Sequence, residues 1–140
     1  MAPITIALVG AGSRSFGPET VRDVLLSEAL TQHPIKLRLM DIVADRLSDI
    51  GCYAKSVAEK LGCNCDVSTT TALEAALDGA QFVVTAVEIE RSRYWAQDYH
   101  IPRKYGFRQV FAENGGPGSL FHGLRTMKTM VPIARTMERI

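Results

Sequence analysis

Four short runs within the first 87 residues have the length and residue types of β-strands. Polar stretches with a different periodicity separate these runs. The last run is almost wholly apolar, which is typical of a strand covered on both faces. The predicted strands are residues 4–9, 35–40, 65–69 and 81–87.

Between the runs, apolar residues recur at helical spacing. Pro18 and Glu19 suit the first turn of a helix, because proline lacks an N–H that the first turn would leave unpaired and an acid complements the helix dipole. We expect His33-Pro34 to end that helix, Gly62 to end the next, and Asp78-Gly79 to end a short third one. The predicted helices are 18–33, 47–61 and 71–77.

This β-α-β-α-β-α-β alternation predicts an α/β fold, a Rossmann-like doubly wound parallel sheet with right-handed crossovers. We expect residues 1–140 to form one domain of this class, a dinucleotide-binding domain. Ligands of such sheets lie beyond the carboxyl ends of the strands.

After the fourth run the pattern changes. Residues 88–105 are charged and aromatic, and we expect part of them to be helical and broken near Pro102. Either a solvated helix or a substrate-side wall facing the cofactor explains their composition. Residues 106–118 form a loop rich in glycine, of a kind that often carries function. A last helix follows from Leu120, and Pro132 should kink it.

Gly10 and Gly12 directly follow the first strand and precede a helical pattern. Two glycines at this point allow a tight turn and a close approach of the backbone to a pyrophosphate. The full fingerprint has a third glycine, whose position Ser15 occupies here. The spacing alone therefore fits either a dinucleotide site or an ordinary joint between a strand and a helix.

Asp41 ends the second strand, where an acid can accept both hydroxyls of an adenosine ribose. A surface acid is the alternative. The ribose role favours NAD over its phosphorylated form, although Arg46 nearby is a residue type that accepts a 2′-phosphate. Gly10, Gly12, Asp41 and Val87 all fall at the carboxyl edge of the predicted sheet, and this convergence favours the nucleotide site.

Composition changes this interpretation little. The chain has 140 residues, is 46% hydrophobic and carries a formal net charge of +1, which provides no electrostatic basis for binding nucleic acid or an anionic membrane. No apolar run approaches the length of a membrane span, and the residues before the first strand lead us to expect no signal peptide. The three cysteines are expected to be reduced thiols of a cytoplasmic protein. Cys63 and Cys65 could donate two metal ligands, but no neighbouring cluster completes a site.

Four segments together carry a resemblance to a known family. They are Val9-Gly10-Ala11-Gly12-Ser13; Met40-Asp41-Ile42 with Arg46-Leu47; Ile101-Pro102-Arg103-Lys104-Tyr105-Gly106 with Arg108-Gln109; and Glu113-Asn114-Gly115-Gly116-Pro117-Gly118 with Gly123-Leu124-Arg125-Thr126 and Pro132-Ile133-Ala134. The set resembles glycoside hydrolase family 4, the NAD- and metal-dependent glycosidases. The last two segments are the more specific, since many dehydrogenases share the first two. The resemblance covers essentially the whole chain but only the front part of the family.

The resemblance implies a redox route to glycoside cleavage, unlike hydrolysis by paired carboxylates. NAD takes a hydride from C3 of the sugar, a base removes the acidified C2 proton, and Mn²⁺ stabilises the resulting charge. The aglycone then leaves, water adds, and the hydride returns. The substrate is accordingly a small-molecule glycoside, and we expect the complete protein to be a homo-oligomer.

Residue roles follow from the same resemblance. Gly10, Gly12 and Ser13 are expected at the pyrophosphate, Asp41 at the ribose and Arg46 near the adenine. Val87 and Asn114 are expected beside the nicotinamide, Glu113 as the acid that supports a tyrosine base, and Arg91 and Arg93 as substrate contacts. The metal ligands and the base match no residue of this chain. A lactate- or malate-type dehydrogenase and a non-catalytic nucleotide-binding module are the alternatives.

Overall fold

The computed structural model of the protein describes residues 2–140. These residues divide into two compact units. The first contains residues 2–86 and the terminal segment Thr136–Ile140, and the second contains Val87–Arg135. None of the helices in residues 2–140 is long and apolar enough to span a membrane.

The first unit contains one four-stranded sheet in which every pairing is parallel. The strand order is β3-β2-β1-β4, so the order reverses between β1 and β4. Such a reversal is the switch point beside which ligands of α/β sheets bind. The predicted α/β class with a parallel Rossmann-type sheet is confirmed. The strands are β1 (Ile4–Val9), β2 (Ile35–Met40), β3 (Cys65–Thr70) and β4 (Phe82–Thr85).

The core of this unit lies on the two central strands. Leu8 of β1 and Leu37 and Leu39 of β2 are fully buried. These leucines form one hydrophobic cluster with residues of two helices that contact each other. Val21 and Ile50 are among the buried residues of these helices. Burial of these branched side chains holds the carboxyl ends of β1 and β2 side by side, which is where the glycine turn and Asp41 lie.

The expectation that the fourth strand is covered on both faces is wrong within the described residues. β4 pairs only with β1 and is therefore an edge strand. Phe82 is 57% exposed and Val84 is 37% exposed, so one of its faces is open. The strand is also shorter than predicted, ending at Thr85.

The first unit contains four helices where three were predicted. Ser27 interrupts the first predicted helix because its backbone is extended, with φ −70° and ψ 109°. The Ser27 hydroxyl then accepts a hydrogen bond from the N–H of Leu30 and caps a short second helix. Gly62 ends the third helix with φ 65°, as predicted. The helices are α1 (Phe16–Leu26), α2 (Glu28–Thr31), α3 (Ala44–Leu61) and α4 (Leu73–Leu77).

The second unit is built on α5 (Arg91–Lys104) and most of α6 (Gly116–Arg139). The helix predicted to break near Pro102 continues through this residue and ends at Lys104. The last helix starts at Gly116, earlier than predicted, and runs past Pro132. The glycine-rich loop joins α5 to α6, so it is held between two helix ends.

Candidate functional site

The turn after β1 is tied to the end of β2. The N–H groups of Gly10 and Ala11 donate to the carbonyl oxygen of Met40 at 2.8 and 2.9 Å. Gly10 has a φ of 87°, a conformation that side chains disfavour, so the glycine is required by the backbone itself. The predicted glycine turn therefore exists, and its position is set by the neighbouring strand.

Asp41 closes the turn from the other strand. Its Oδ2 accepts a hydrogen bond of 2.9 Å from the N–H of Gly12, and its Oδ1 accepts one of 3.0 Å from the N–H of Val43. The residue is buried. A carboxylate oxygen can accept more than one hydrogen bond, so these contacts orient the group and leave acceptor capacity. The role of Asp41 at a ribose stays a prediction.

Gly12 has no room for a side chain. A Cβ at this position would lie 2.7 Å from Oδ2 of Asp41 and 2.7 Å from Cβ of Arg46. The close approach of α3 and the carboxylate thus explains this glycine. The structure brings Gly12, Asp41 and Arg46 together although they are far apart in the sequence, and their roles at a nucleotide stay predictions.

The start of α1 lies at the same turn. The N–H of Ser13 donates to Gly10, and the Ser13 hydroxyl accepts a 3.3 Å hydrogen bond from the N–H of Phe16. No acceptor in residues 2–140 pairs with the backbone N–H groups of Arg14 or Ser15. Exposed N–H groups at a helix start attract anions. Beside them lies a cleft of about 340 Å³ lined by Ala11, Gly12, Ser13, Arg14, Pro18, Arg46, Asp49, Ile50 and Tyr53.

Val87 lies just beyond the carboxyl end of β4. The strand ends at Thr85, and the N–H of Ala86 makes a last 2.7 Å hydrogen bond to Val9. Val87 is then the first residue of the second unit. Its expected place beside the nicotinamide stays a prediction.

The second unit positions Glu113. This residue lies in the loop before α6, and its Oε2 accepts a 2.5 Å hydrogen bond from Nε1 of Trp95. Its Oε1 lies 3.9 Å from Nη2 of Arg91. Both partners belong to α5 and are one helical turn apart. The sequence gives no sign of this role for Trp95, because nothing in the local pattern links an indole to an acid 18 residues later.

The two predicted substrate arginines point to different partners. Arg91 donates a hydrogen bond to Glu88, which raises the pKa of its guanidinium, and also lies near Glu113. Arg93 is exposed and pairs with Glu90 at 3.1 Å. Residues two apart on a helix face different directions. Only Arg91 therefore joins the Glu113 site, and both substrate roles stay predictions.

The loop around Glu113 is fixed by buried polar contacts. Gln109 is buried, and its Nε2 donates a 2.6 Å hydrogen bond to the carbonyl oxygen of Asp98. The buried Asp98 carboxylate pairs with Arg125 of α6. Gly118 lies so close that a Cβ would approach Nε2 of Gln109 to 2.6 Å. Asn114 lies in the same loop and is exposed. Its backbone N–H donates a 3.4 Å hydrogen bond to the carbonyl oxygen of Phe111.

In residues 2–140, no three histidine, cysteine or acidic side chains cluster as a metal site. The three cysteines are free thiols. Burial raises the pKa of Cys65 from its ordinary 9.0 to about 11, and the neighbouring Cys63 and Asp66 add to the shift. A thiol shifted in this direction is a poor metal ligand and a poor nucleophile near neutral pH.

Comparison with known proteins supports the resemblance. The family model described as family 4 glycosyl hydrolase matches residues 5–140. An alpha-glucosidase of Erwinia rhapontici is 41% identical over 136 residues, which cover 96% of this chain and 30% of that protein. The chain thus spans about 30% of the length of this curated relative.

Two solved structures share the fold. The 6-phospho-beta glucosidase from Thermotoga maritima, solved with NAD and glucose-6-phosphate, matches with a TM-score of 0.83 and 22% identity over 99% of this chain and 32% of that one. A 6-phospho-alpha-glucosidase from gut microorganisms, solved with NAD and Mn²⁺, matches with a TM-score of 0.81 and 24% identity over 99% of this chain and 30% of that one.

Proposed function

The chain belongs to glycosyl hydrolase family 4, and from this premise we propose that it is the cofactor-binding part of an NAD- and divalent-metal-dependent glycosidase. The observation that carries the proposal is the open start of α1 beside the bond between Gly12 and Asp41. Unpaired N–H groups, a glycine turn and a carboxylate at the end of β2 together suit a dinucleotide.

The residues present fit NAD. In the proposed complex, the turn of Gly10, Gly12 and Ser13 holds the pyrophosphate, and the N–H groups at the start of α1 face its charge. Asp41, already oriented by two backbone donors, accepts the ribose hydroxyls. Arg46 lines the cleft and lies near the adenine. Arg46 and Asp41 form no ion pair in the described residues. The carboxylate is therefore able to accept hydrogen bonds from the ribose hydroxyls.

NAD, when bound, supplies reversible oxidation at C3 of the sugar, which acidifies the C2 proton and opens an elimination route to cleavage. In that chemistry, the residues of this chain hold and orient the cofactor and the substrate. Glu113 supports the basicity of a tyrosine base, Asn114 and Val87 border the nicotinamide, and Arg91 contacts the sugar. Arg93 is the weaker candidate of the two arginines, since its guanidinium is paired with Glu90.

The described residues do not supply a metal site. We therefore place the Mn²⁺ ligands and the base outside residues 1–140, in the part of the complete protein that corresponds to the remaining length of its relatives. The substrate we propose is a small-molecule glycoside, acted on in the cytoplasm by a homo-oligomer.

The decisive experiment uses the complete protein made from its native gene. It is assayed with 4-nitrophenyl glycosides of glucose and of glucose 6-phosphate, in the presence of NAD, Mn²⁺ and a reductant. We expect cleavage that disappears when the nucleotide is stripped or the metal is chelated, and that returns when both are restored. Full activity of the stripped and chelated enzyme would refute the proposal.

The same protein tests the dehydrogenase alternative. A glycosidase of this type returns the hydride within each turnover, so no NADH accumulates. Net, stoichiometric production of NADH from a 2-hydroxy acid would favour the lactate- or malate-type dehydrogenase. The 140-residue chain by itself is expected to bind NADH weakly and to cleave nothing, as a nucleotide-binding module would.

A further inference from the structure

A carboxylate that supports a base must be held in one orientation. The local surroundings of Glu113 do not fix the orientation of its side chain. It lies in a loop whose next glycines, Gly115 and Gly116, both have positive φ. Its side chain is 31% exposed. A glutamate in such a place has several rotamers of similar energy, and its orientation therefore depends on contacts made by other residues.

Trp95 makes the only hydrogen bond to the Glu113 carboxylate among the described residues. The indole N–H is a donor only, and at 2.5 Å it holds Oε2. The other oxygen, Oε1, is 3.9 Å from Arg91, which is beyond hydrogen-bond length. One oxygen is thus fixed, while the other stays able to accept a hydrogen bond from a reacting partner.

The indole is itself held by an aromatic and cationic stripe on α5. Trp95 stacks on Tyr99 with ring centroids 5.5 Å apart and an interplanar angle of 7°. Arg103 lies 4.9 Å from the centre of the Tyr99 ring and donates a 2.8 Å hydrogen bond to its hydroxyl. Arg91, Trp95, Tyr99 and Arg103 are spaced four residues apart, so they follow one face of the helix.

The neighbouring face of α5 fixes the distance between this stripe and the loop. Asp98 is bound through its carbonyl oxygen to Gln109 and through its carboxylate to Arg125. These contacts tie α5 to the loop that carries Glu113, at Gln109, and to the helix that follows the loop, at Arg125. The indole therefore meets a carboxylate whose backbone is already in place.

We propose that Trp95 is a positioning residue, which fixes the orientation of the Glu113 carboxylate in the proposed glycosidase. The proposal rests on the proposed function only for the role of Glu113. The contact itself can be measured without any activity.

The chain contains one tryptophan, so its nitrogen-15 NMR spectrum has one indole N–H resonance. Glu113→Gln keeps the shape of the side chain and removes its charge. We expect this variant to move the indole resonance upfield and to speed its exchange with solvent about ten-fold, because a hydrogen bond to a charged group is lost. Glu90→Gln, which removes a nearby charge that pairs with Arg93, is the control and should leave the resonance in place. An unchanged resonance in Glu113→Gln would overturn the contact.

The catalytic consequence is tested in the complete protein with Trp95→Phe, which keeps an aromatic ring and removes the N–H. We expect kcat to fall about ten-fold with KM within about two-fold, since positioning acts on the transition state more than on binding. Tyr105→Phe, at an exposed ring, is the matched control. A wild-type kcat in Trp95→Phe would overturn the positioning role alone. Inactivity of the wild-type enzyme towards every glycoside, with the indole shift intact, would instead overturn the proposed function and leave the contact standing.

Discussion

Gly12 and Asp41 are 29 residues apart and share a hydrogen bond of 2.9 Å between the glycine N–H and Oδ2 of the carboxylate. The bond joins the turn after β1 to the residue after β2. The two positions that a nucleotide-binding interpretation singles out are thus parts of one structural unit. Changes at either position should affect stability and nucleotide binding together.

Gly12→Ala is predicted to destabilise the chain and weaken NADH binding. The added Cβ would lie 2.7 Å from both Asp41 Oδ2 and Arg46 Cβ, and overpacking of this kind costs about 1–3 kcal/mol. Gly123→Ala is the matched control, because its Cβ would meet no atom within 4 Å and alanine favours a helix interior by about 0.5–1 kcal/mol. Urea unfolding measures the stability of the two variants, and fluorescence titration with NADH measures their affinity for the nucleotide. Equal stability of the two variants would contradict the prediction.

Asp41→Ala is predicted to lower the free energy of unfolding by about 1–3 kcal/mol, since it leaves the N–H groups of Gly12 and Val43 without their acceptor. Affinity for NADH should fall in the same variant. Asp23→Ala removes an acid whose side chain is 70% exposed and should change stability by no more than about 0.5 kcal/mol. The midpoints of urea unfolding measure the difference in stability between the two variants. An Asp41→Ala chain as stable as Asp23→Ala would show that the bond contributes nothing.

Arg125→Met is predicted to lower the free energy of unfolding by about 3–5 kcal/mol. Its partner Asp98 has a side chain only 5% exposed, so the variant leaves a buried carboxylate without its cation. Arg22→Met, which breaks the exposed pair with Asp23, should cost about 1 kcal/mol or less. Denaturant unfolding monitored by Trp95 fluorescence reports on the unit that contains the pair. The double variant Asp98→Leu with Arg125→Met should recover part of the loss, and failure to recover would argue against a charge-pair effect.

Stability should depend on Cys65 in alkaline solution. Its pKa is raised from 9.0 to about 11 in the folded state, so the folded chain keeps a proton that the unfolded chain releases. The stabilisation from this thiol is therefore fully present below about pH 9 and is lost as the pH rises towards 11. Urea midpoints between pH 8 and pH 11, about the range of ordinary and shifted thiol pKa values, should fall more steeply in the wild type than in Cys65→Ala.

Cys52→Ala, at an exposed thiol, is the control for that series and should keep the wild-type slope. Thiol alkylation is an independent test of the shifted pKa of Cys65. At pH 8, Cys52 should react well before Cys65, because less of the Cys65 thiol is ionised. Parallel slopes in the wild type and in Cys65→Ala would contradict the prediction.

Local chemistry was sufficient to predict most elements of the first unit. β1 and β2 have the predicted bounds, and Gly62 ends α3 with the left-handed backbone that glycine favours. These features depend on the spacing of apolar residues and on backbone preferences within a few positions. Ser27 was missed because its cap competes with a helical pattern that continues on both sides.

The remaining features depend on which distant groups meet. The sequence by itself determined the parallel sheet, the glycine turn and the acid at the end of β2, since each follows from periodicity or from an intrinsic backbone preference. Only the tertiary structure decided that β4 is an edge strand of the sheet formed within residues 2–140, that Trp95 donates a hydrogen bond to Glu113, and that Asp98 pairs with Arg125. The physical reason is that hydrogen bonds and ion pairs act over a few ångströms, while the residues that form them are separated by long stretches of chain whose packing sets their distance.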